Sequence, residues 1–263
     1  MSAAVATLPS TPGVTWPRTL ASEWGKTWGL RSTRWAVAAT VVLNAAMCVL
    51  TASDSLVGPE GYGYSLAYLA AGYLLFTQVP LLVHGVLAGA GEFSAGGATS
   101  TFAVAPRRLG VLTAKAVTTA GVAAVTGVVT LVTSSLVLLA SPFGAALRLG
   151  GDEQSVRILL GAVASLVLIT VLALAVGALL RRPLVGIAVM VALGLSELAL
   201  LGADGLAQWL PGHALAVLTS LNDFVALATA GSPVGTWGSL AVLGAWALVA
   251  LVLAGARLRR TDV

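Results

Sequence analysis

Side chains able to do chemistry are scarce in this chain, and a cluster of them interrupts two long apolar runs between residues 89 and 115, GAGEFSAGGATSTFAVAPRRLGVLTAK. That stretch holds an acid, Glu92, three cations, Arg107, Arg108 and Lys115, and a run of glycines and hydroxyls. His84 lies eight residues before Glu92, which on a continuous helix sets the two within about 80° of each other. Two ligands are too few for zinc, which takes three or four from the protein, and His213 and Asp223 are expected across the membrane from them. No metal site is therefore expected. Glu197 is the one acid well inside an apolar run. An ionisable group in lipid is a functional candidate by default, so Glu197 is a candidate for a substrate pathway, although it also lies near enough to the next loop to reach water. The sequence has no G-x-S-x-G, and its histidines are expected on opposite faces, so nucleophilic catalysis has no support. It also has no G-x-x-x-x-G-K-[ST], so ATP cannot bind here through a P-loop. Gly110 and Lys115 lack the second glycine and the strand such a loop needs. Gly85-x-x-x-Gly89 has the spacing that lets helices approach closely, but among 30 glycines it arises readily by chance.

The elements that hold these residues follow from composition. Hydrophobic residues make up 58% of the 263, charged ones only 9%, and the mean hydropathy is +0.96. Soluble domains carry about 25% charged residues, so lipid is the main solvent expected. The net charge of +4 does not indicate nucleic acid, because the cations flank apolar runs as membrane anchors do. The single cysteine, Cys48, excludes an intramolecular disulfide and reads as a small buried apolar residue. The first thirty residues lack a continuous apolar core, so a cleaved leader is not expected.

The expected fold class is all-α: a polytopic membrane protein with six transmembrane helices. The runs lie at 35–53, 64–88, 111–140, 156–180, 183–202 and 236–256, each near the roughly 20 residues a helix needs to cross about 30 Å of hydrocarbon. The third is overlong, which implies tilt or a projecting end. Residues 1–17 read as a disordered tail. In 18–34 Leu20, Trp24 and Trp28 recur every fourth residue and share a helical face, with Arg18, Glu23, Lys26 and Arg31 mostly elsewhere. That pattern predicts a helix lying in the membrane interface. Counting Lys and Arg in the connections puts twelve on one side and two, Arg148 and Arg157, on the other. The positive-inside rule then makes both termini cytoplasmic, including the tail at 257–263. The connection at 203–235 is too apolar for an ordinary loop. Its short apolar stretches, broken at Pro211-Gly212 and Asn222-Asp223, predict a re-entrant external segment.

This leaves 89–110 as a cytoplasmic loop whose Glu92–Phe93 pair and Gly/Thr run are more than positive-inside charge requires. A helix break is expected after Gly89-Ala90-Gly91, exposing Glu92, and Pro106 suits the first turn of the next helix. Here the sequence resembles the membrane subunits of type-2 ATP-binding-cassette (ABC) exporters. Their corresponding loop reads Glu-aromatic-Ser-x-Gly, then threonines, Pro-Arg-Arg and Ala-Lys. The matching residues are Glu92, Phe93, Ser94, Gly96, Thr99, Thr101, Pro106, Arg107, Arg108, Ala114 and Lys115. Gly97 departs from a common threonine. The opening ASEWGKTWGLRSTRW, with Glu23, Trp24 and Lys26, is similar to the family's opening, as is the ending RLRRTDV, although Thr261 intervenes.

The resemblance implies a permease subunit without a motor of its own. It would move an unidentified substrate across the bacterial plasma membrane, paired with a second copy or a related permease. The partner would be a cytoplasmic ABC ATPase carrying the ATP and Mg. Glu92, Phe93, Ser94, Gly96, Pro106, Arg107 and Arg108 would form the coupling segment, and Glu23, Trp24, Lys26, Trp28 and Arg31 the interfacial connecting helix. The competing expectation is a non-transporting anchor or sensor that recruits a cytoplasmic partner through the same loop. An intramembrane enzyme is disfavoured, since no polar cluster converges at one depth.

Overall fold

The computed structural model describes residues 15–53, 65–94, 108–142, 144–147, 149, 153–196, 207–218 and 234–260. Among them the regular elements are helical: α1 (Trp16–Gly29), α2 (Arg31–Ser53), α3 (Leu66–Gly72), α4 (Leu74–Thr77), α5 (Val79–Ser94), α6 (Arg108–Leu139), α7 (Glu153–Leu180), α8 (Pro183–Gly194), α9 (Pro211–Leu218) and α10 (Thr236–Arg260). Four of these, α2, α6, α7 and α10, are long and apolar enough to cross a membrane, and the bent series α3–α5 makes a fifth if it counts as one span. They mark a multi-pass membrane protein.

α7 is the centre of the packing. Its side chains from Leu166 to Ala178 are almost all buried, and 28 residues at about 1.5 Å each exceed the roughly 30 Å of hydrocarbon it has to cross. α5 lies tightly against it. A Cβ on Gly85 would come within 2.5 Å of Thr170 O, and one on Gly89 would strike Leu174 O and come within 2.7 Å of Ala178 N. From the other side, a Cβ on Gly177 would strike Val86 O. The Gly85-x-x-x-Gly89 spacing is thus a working contact, in which backbone meets backbone because no side chain stands between.

Several boundaries differ from the sequence reading, each for a local reason. The expected single span at 64–88 is broken at Tyr73 and Gln78 and bends by 48°. Pro80 accounts for the second break, since its ring excludes a helical carbonyl four residues back and it has no N–H to donate. Gln78 repairs some of the loss by donating its side-chain Nε2 to Leu75 O at 2.9 Å. The helix is not broken at Gly89-Ala90-Gly91 but continues to Ser94, held straight by the α7 contact. Trp16 and Pro17, read as disordered tail, begin α1, where Pro17 fits a first turn that needs no N–H. Arg31, read as part of that helix, opens α2 after an extended Leu30. α10 carries on past 256 to Arg260. The fifth run has only the 12 residues Pro183–Gly194 as described helix; Glu197 and the stretch to 206 lie outside the described residues. Pro211, expected as a break, opens the buried helix α9; most of the remaining 203–235 segment is likewise outside the description.

The turn between α7 and α8 is very tight. Arg181 takes a left-handed backbone with φ of 57°, Arg182 is extended, and Pro183 starts the next helix. The bundle has two distinct ends. At one, Leu112 of α6, Leu174 and Ala178 of α7, and Ala254 and Leu258 of α10 form a single apolar cluster, and Arg257 donates to Leu179 O. At the other, Ser65 ahead of α3 shares a 3.1 Å hydrogen bond with Ser155 in the first turn of α7. There Leu218 of α9 also closes on Gly161.

Candidate functional site: the ion-paired end of the bundle

α1 is fastened to α6 at three levels. Trp16 Nε1 donates to Thr113 Oγ1 at 3.4 Å. Glu23 accepts from Lys26 Nζ through Oε1 at 2.7 Å and from Lys115 Nζ through Oε2 at 2.9 Å. The Trp24 ring lies against Gly121, where a Cβ would sit 3.0 Å from the indole. Trp28 meets Trp24 edge-on, with ring centroids 6.0 Å apart.

The face turned inward is therefore centred on Glu23, at 3% exposed the most buried residue of α1. The sequence reading placed it off the Leu20–Trp24–Trp28 face, and the structure corrects this. Leu20 and Trp28 are half-buried, while Trp24 keeps 43% of its surface exposed. The physical reason is Lys115, whose side chain is 16% exposed and which supplies the charge that lets a carboxylate enter the packing. Burial pushes the Glu23 carboxyl upward, but the Lys115 charge and the hydrogen bonds from both lysines outweigh it. The net effect holds the group below its ordinary range. The signal in the sequence was one acid in a helix with three cations nearby. What it lacked was the partner, 92 residues further on.

The other expected residues divide into three groups. Glu23, Trp24, Lys26 and Trp28 share α1, and Arg31 starts α2. Glu92, Phe93 and Ser94 form the last turn of α5, and Arg108 opens α6; their side chains are outside the description. Gly96, Pro106, Arg107 and Glu197 lie outside the described residues altogether. The described helices form a frame on either side of residues 95–107. α5 before them is pinned to α7, and α6 after them is pinned to α1 at Lys115, seven residues past Arg108.

His84 is buried, with Nδ1 3.5 Å from Thr33 Oγ1 of α2; among the described residues its Nε2 has no hydrogen-bond partner. Among those residues no three His, Cys, Asp or Glu side chains come together.

A second polar locus was missed from the sequence. Asn44 of α2 donates through Nδ2 to Ser134 Oγ of α6 at 2.7 Å and to Ala70 O of α3 at 3.0 Å, and its Oδ1 accepts from Thr77 Oγ1 of α4 at 3.0 Å. The buried positions of α2 are Thr33, Ala36, Thr40, Asn44 and Cys48, so a nearly polar stripe faces the bundle while the apolar side chains face outward. This inversion is what a helix in lipid permits, because inter-helix hydrogen bonds rather than hydrophobic burial drive association there. Its signal, polar residues four and seven apart along an apolar run, was present in the sequence.

Models of known protein families give no match to the chain, and no characterised protein matches it.

Proposed function

We propose that this chain is the membrane-spanning permease subunit of an ATP-driven exporter of the type-2 ABC kind, moving an unidentified substrate outward across a bacterial plasma membrane. The observation that carries the reading is the mechanical frame around residues 95–107. A polar segment is held between α5, locked to α7 through Gly85 and Gly89, and α6, ion-paired to α1 through Lys115 and Glu23. A force applied to that segment reaches both the bundle's central helix and its peripheral one through stiff contacts. A chain without a P-loop needs such a surface if a separate ATPase is to drive it.

On this reading the end that collects α1, the start of α6 and the last turn of α10 faces the cytoplasm. The residues after Gly194 complete the fifth of six crossings, and 203–235 dips back from outside. Two such chains, or this one and a related permease, pair with two ATPases that hold ATP and Mg. Glu92, Phe93, Ser94, Gly96, Pro106, Arg107 and Arg108 form the docking segment, and Glu197 is the candidate acid of the pathway.

The test is affinity purification of the tagged chain in detergent, with mass spectrometry of co-eluting proteins, beside Glu92→Lys. A soluble P-loop ATPase is expected with the native chain and lost from the folded variant. Retention of the ATPase by Glu92→Lys overturns the docking assignment. Absence of any ATPase from an intact preparation overturns the permease reading and favours an anchor or sensor.

A further inference from the structure

At the cation-rich end a groove of about 620 Å³ opens between the first half of α6 and the second half of α10. Its walls are Leu112 and Ala116 on one side and Leu248 and Val252 on the other. Gly255 lets the helices close beneath it, since a Cβ there would come within 3.1 Å of Leu109. Two arginines, Arg259 and Arg260, line the same groove. Both are exposed, and the ion pairs found among the described residues are those of Glu23, not theirs. Trp16 borders the site, because it hydrogen-bonds Thr113, which is itself part of the lining.

An apolar slot running along two membrane helices and ending at paired arginines matches one class of molecule by chemistry. The slot suits an acyl chain, and the arginines suit a phosphate. The carbonyl end of α10 would by itself repel an anion, so the three arginines of its last turn reverse the local sign. Volume agrees: small-molecule sites span roughly 300–1,000 Å³. Basic pockets between membrane helices on the cytoplasmic side are recognised seats for acidic headgroups.

We propose that this groove binds an anionic phospholipid of the cytoplasmic leaflet, with one acyl chain between α6 and α10 and the phosphate on Arg259 and Arg260. The leaflet rests on the orientation proposed above, whereas the binding does not. The bound lipid bridges α6, the helix leaving the polar segment, to α10, and α1 reaches its rim through Trp16. Occupancy therefore couples headgroup charge to the same helices that the Glu23–Lys115 pair ties together.

The experiment is native mass spectrometry of the full chain exchanged into detergent with equal dioleoyl phosphatidylglycerol and dioleoyl phosphatidylcholine. Variants are Arg259→Gln/Arg260→Gln, Val252→Trp to fill the groove from an exposed position, and Leu253→Trp as a control on the neighbouring exposed face. Each arginine is worth roughly fivefold near an anionic surface, so phosphatidylglycerol is expected in excess on the native chain, falling by about tenfold or more in the double variant. Val252→Trp is expected to lower retention of the lipid, with Leu253→Trp unchanged. Equal retention of both lipids by the native chain overturns the headgroup assignment. Undiminished retention in Val252→Trp overturns the groove, and displacement of the lipid by inorganic phosphate alone overturns the acyl contact. The readout uses this chain without an ATPase, so it fails or succeeds independently of the transport reading.

Discussion

Glu23 is the residue on which the docking of α1 depends. Its two carboxylate oxygens serve two different lysines, and only one of these pairs carries much weight. Lys26 has a side chain 52% exposed, so solvent screens it and its contribution is small. Lys115 is largely enclosed, and losing the Glu23 carboxylate removes a charge-assisted hydrogen bond there, which costs on the order of 2 kcal/mol. Glu23→Gln is expected to release α1 without unfolding the bundle, because the loss is local to one peripheral helix. Hydrogen exchange of the α1 amides is the measurement: they lose protection while those of α7 keep theirs. The pH dependence follows from the lowered carboxyl. Its stabilising effect is complete above the group's ordinary value of 4.5 and disappears as pH falls through the depressed folded value. In the native chain α1 should stay docked from neutrality down to that region and loosen below it, whereas Glu23→Gln shows no such transition. Unchanged protection in Glu23→Gln would mean that the tryptophan contacts alone hold the helix. The sequence pointed to an amphipathic helix here but turned the wrong face inward. Periodicity sorts apolar from polar residues, and a polar residue made burial-competent by a distant charge looks the same as a solvated one.

Among the helices, the α5–α7 crossing gives the most direct link from sequence to packing. Gly85 and Gly89 have backbone atoms of α7 where a side chain would go, while a Cβ on Gly91, two residues on, would meet nothing within 4 Å among the described residues. The same substitution should therefore act oppositely at neighbouring sites. Gly89→Ala forces the helices apart and costs about 1–3 kcal/mol by overpacking. Gly91→Ala places its methyl against no described residue and gains up to about 1 kcal/mol from the lower helical cost of alanine. Thermal melts in detergent are expected to show a lowered midpoint for the first and an unchanged or raised one for the second. A matching drop in both would mean that the close approach to α7 does not set Gly89 apart, which overturns this reading of the crossing. Spacing alone could not tell these glycines apart, because a chain rich in glycine repeats the motif by chance and only the neighbour's backbone distinguishes them. The run at 64–88 reads as one span despite Pro80, because hydropathy averages over a bend. α2 shows the converse: its polar stripe of Thr33, Thr40, Asn44 and Cys48 is an ordinary helical periodicity with the polar face turned inward.

For the molecule as a whole, the distribution of charge bears on orientation. Helix packing brings the starts of α2, α6 and α8 and the ends of α5, α7 and α10 to one end, with α1 lying against α6 there. Of the described lysines and arginines, Arg157 alone belongs to the opposite end, in the first turns of α7. Retaining cations on the cytoplasmic side is the dominant determinant of orientation for short connections, and the fold concentrates them without any contribution from the residues outside the description. Sidedness is therefore testable on described positions alone. In a Cys48→Ser background, which removes a fully buried thiol, single cysteines at Leu149 and Trp237 mark the cation-poor end. Both are 72% exposed. Leu30, 55% exposed between α1 and α2, marks the other. A membrane-impermeant maleimide applied to intact cells is expected to label Leu149→Cys and Trp237→Cys at once, and Leu30→Cys only after permeabilisation. The reverse pattern would put the polar segment between α5 and α6 outside the cell, beyond the reach of any cytoplasmic ATPase, and would end the exporter reading whatever the lipid groove binds. Labelling of Leu149→Cys without Trp237→Cys would instead mean that the chain crosses the membrane an odd number of times between them, so that the stretch after Gly194 fails to complete a span and the fifth crossing is lost.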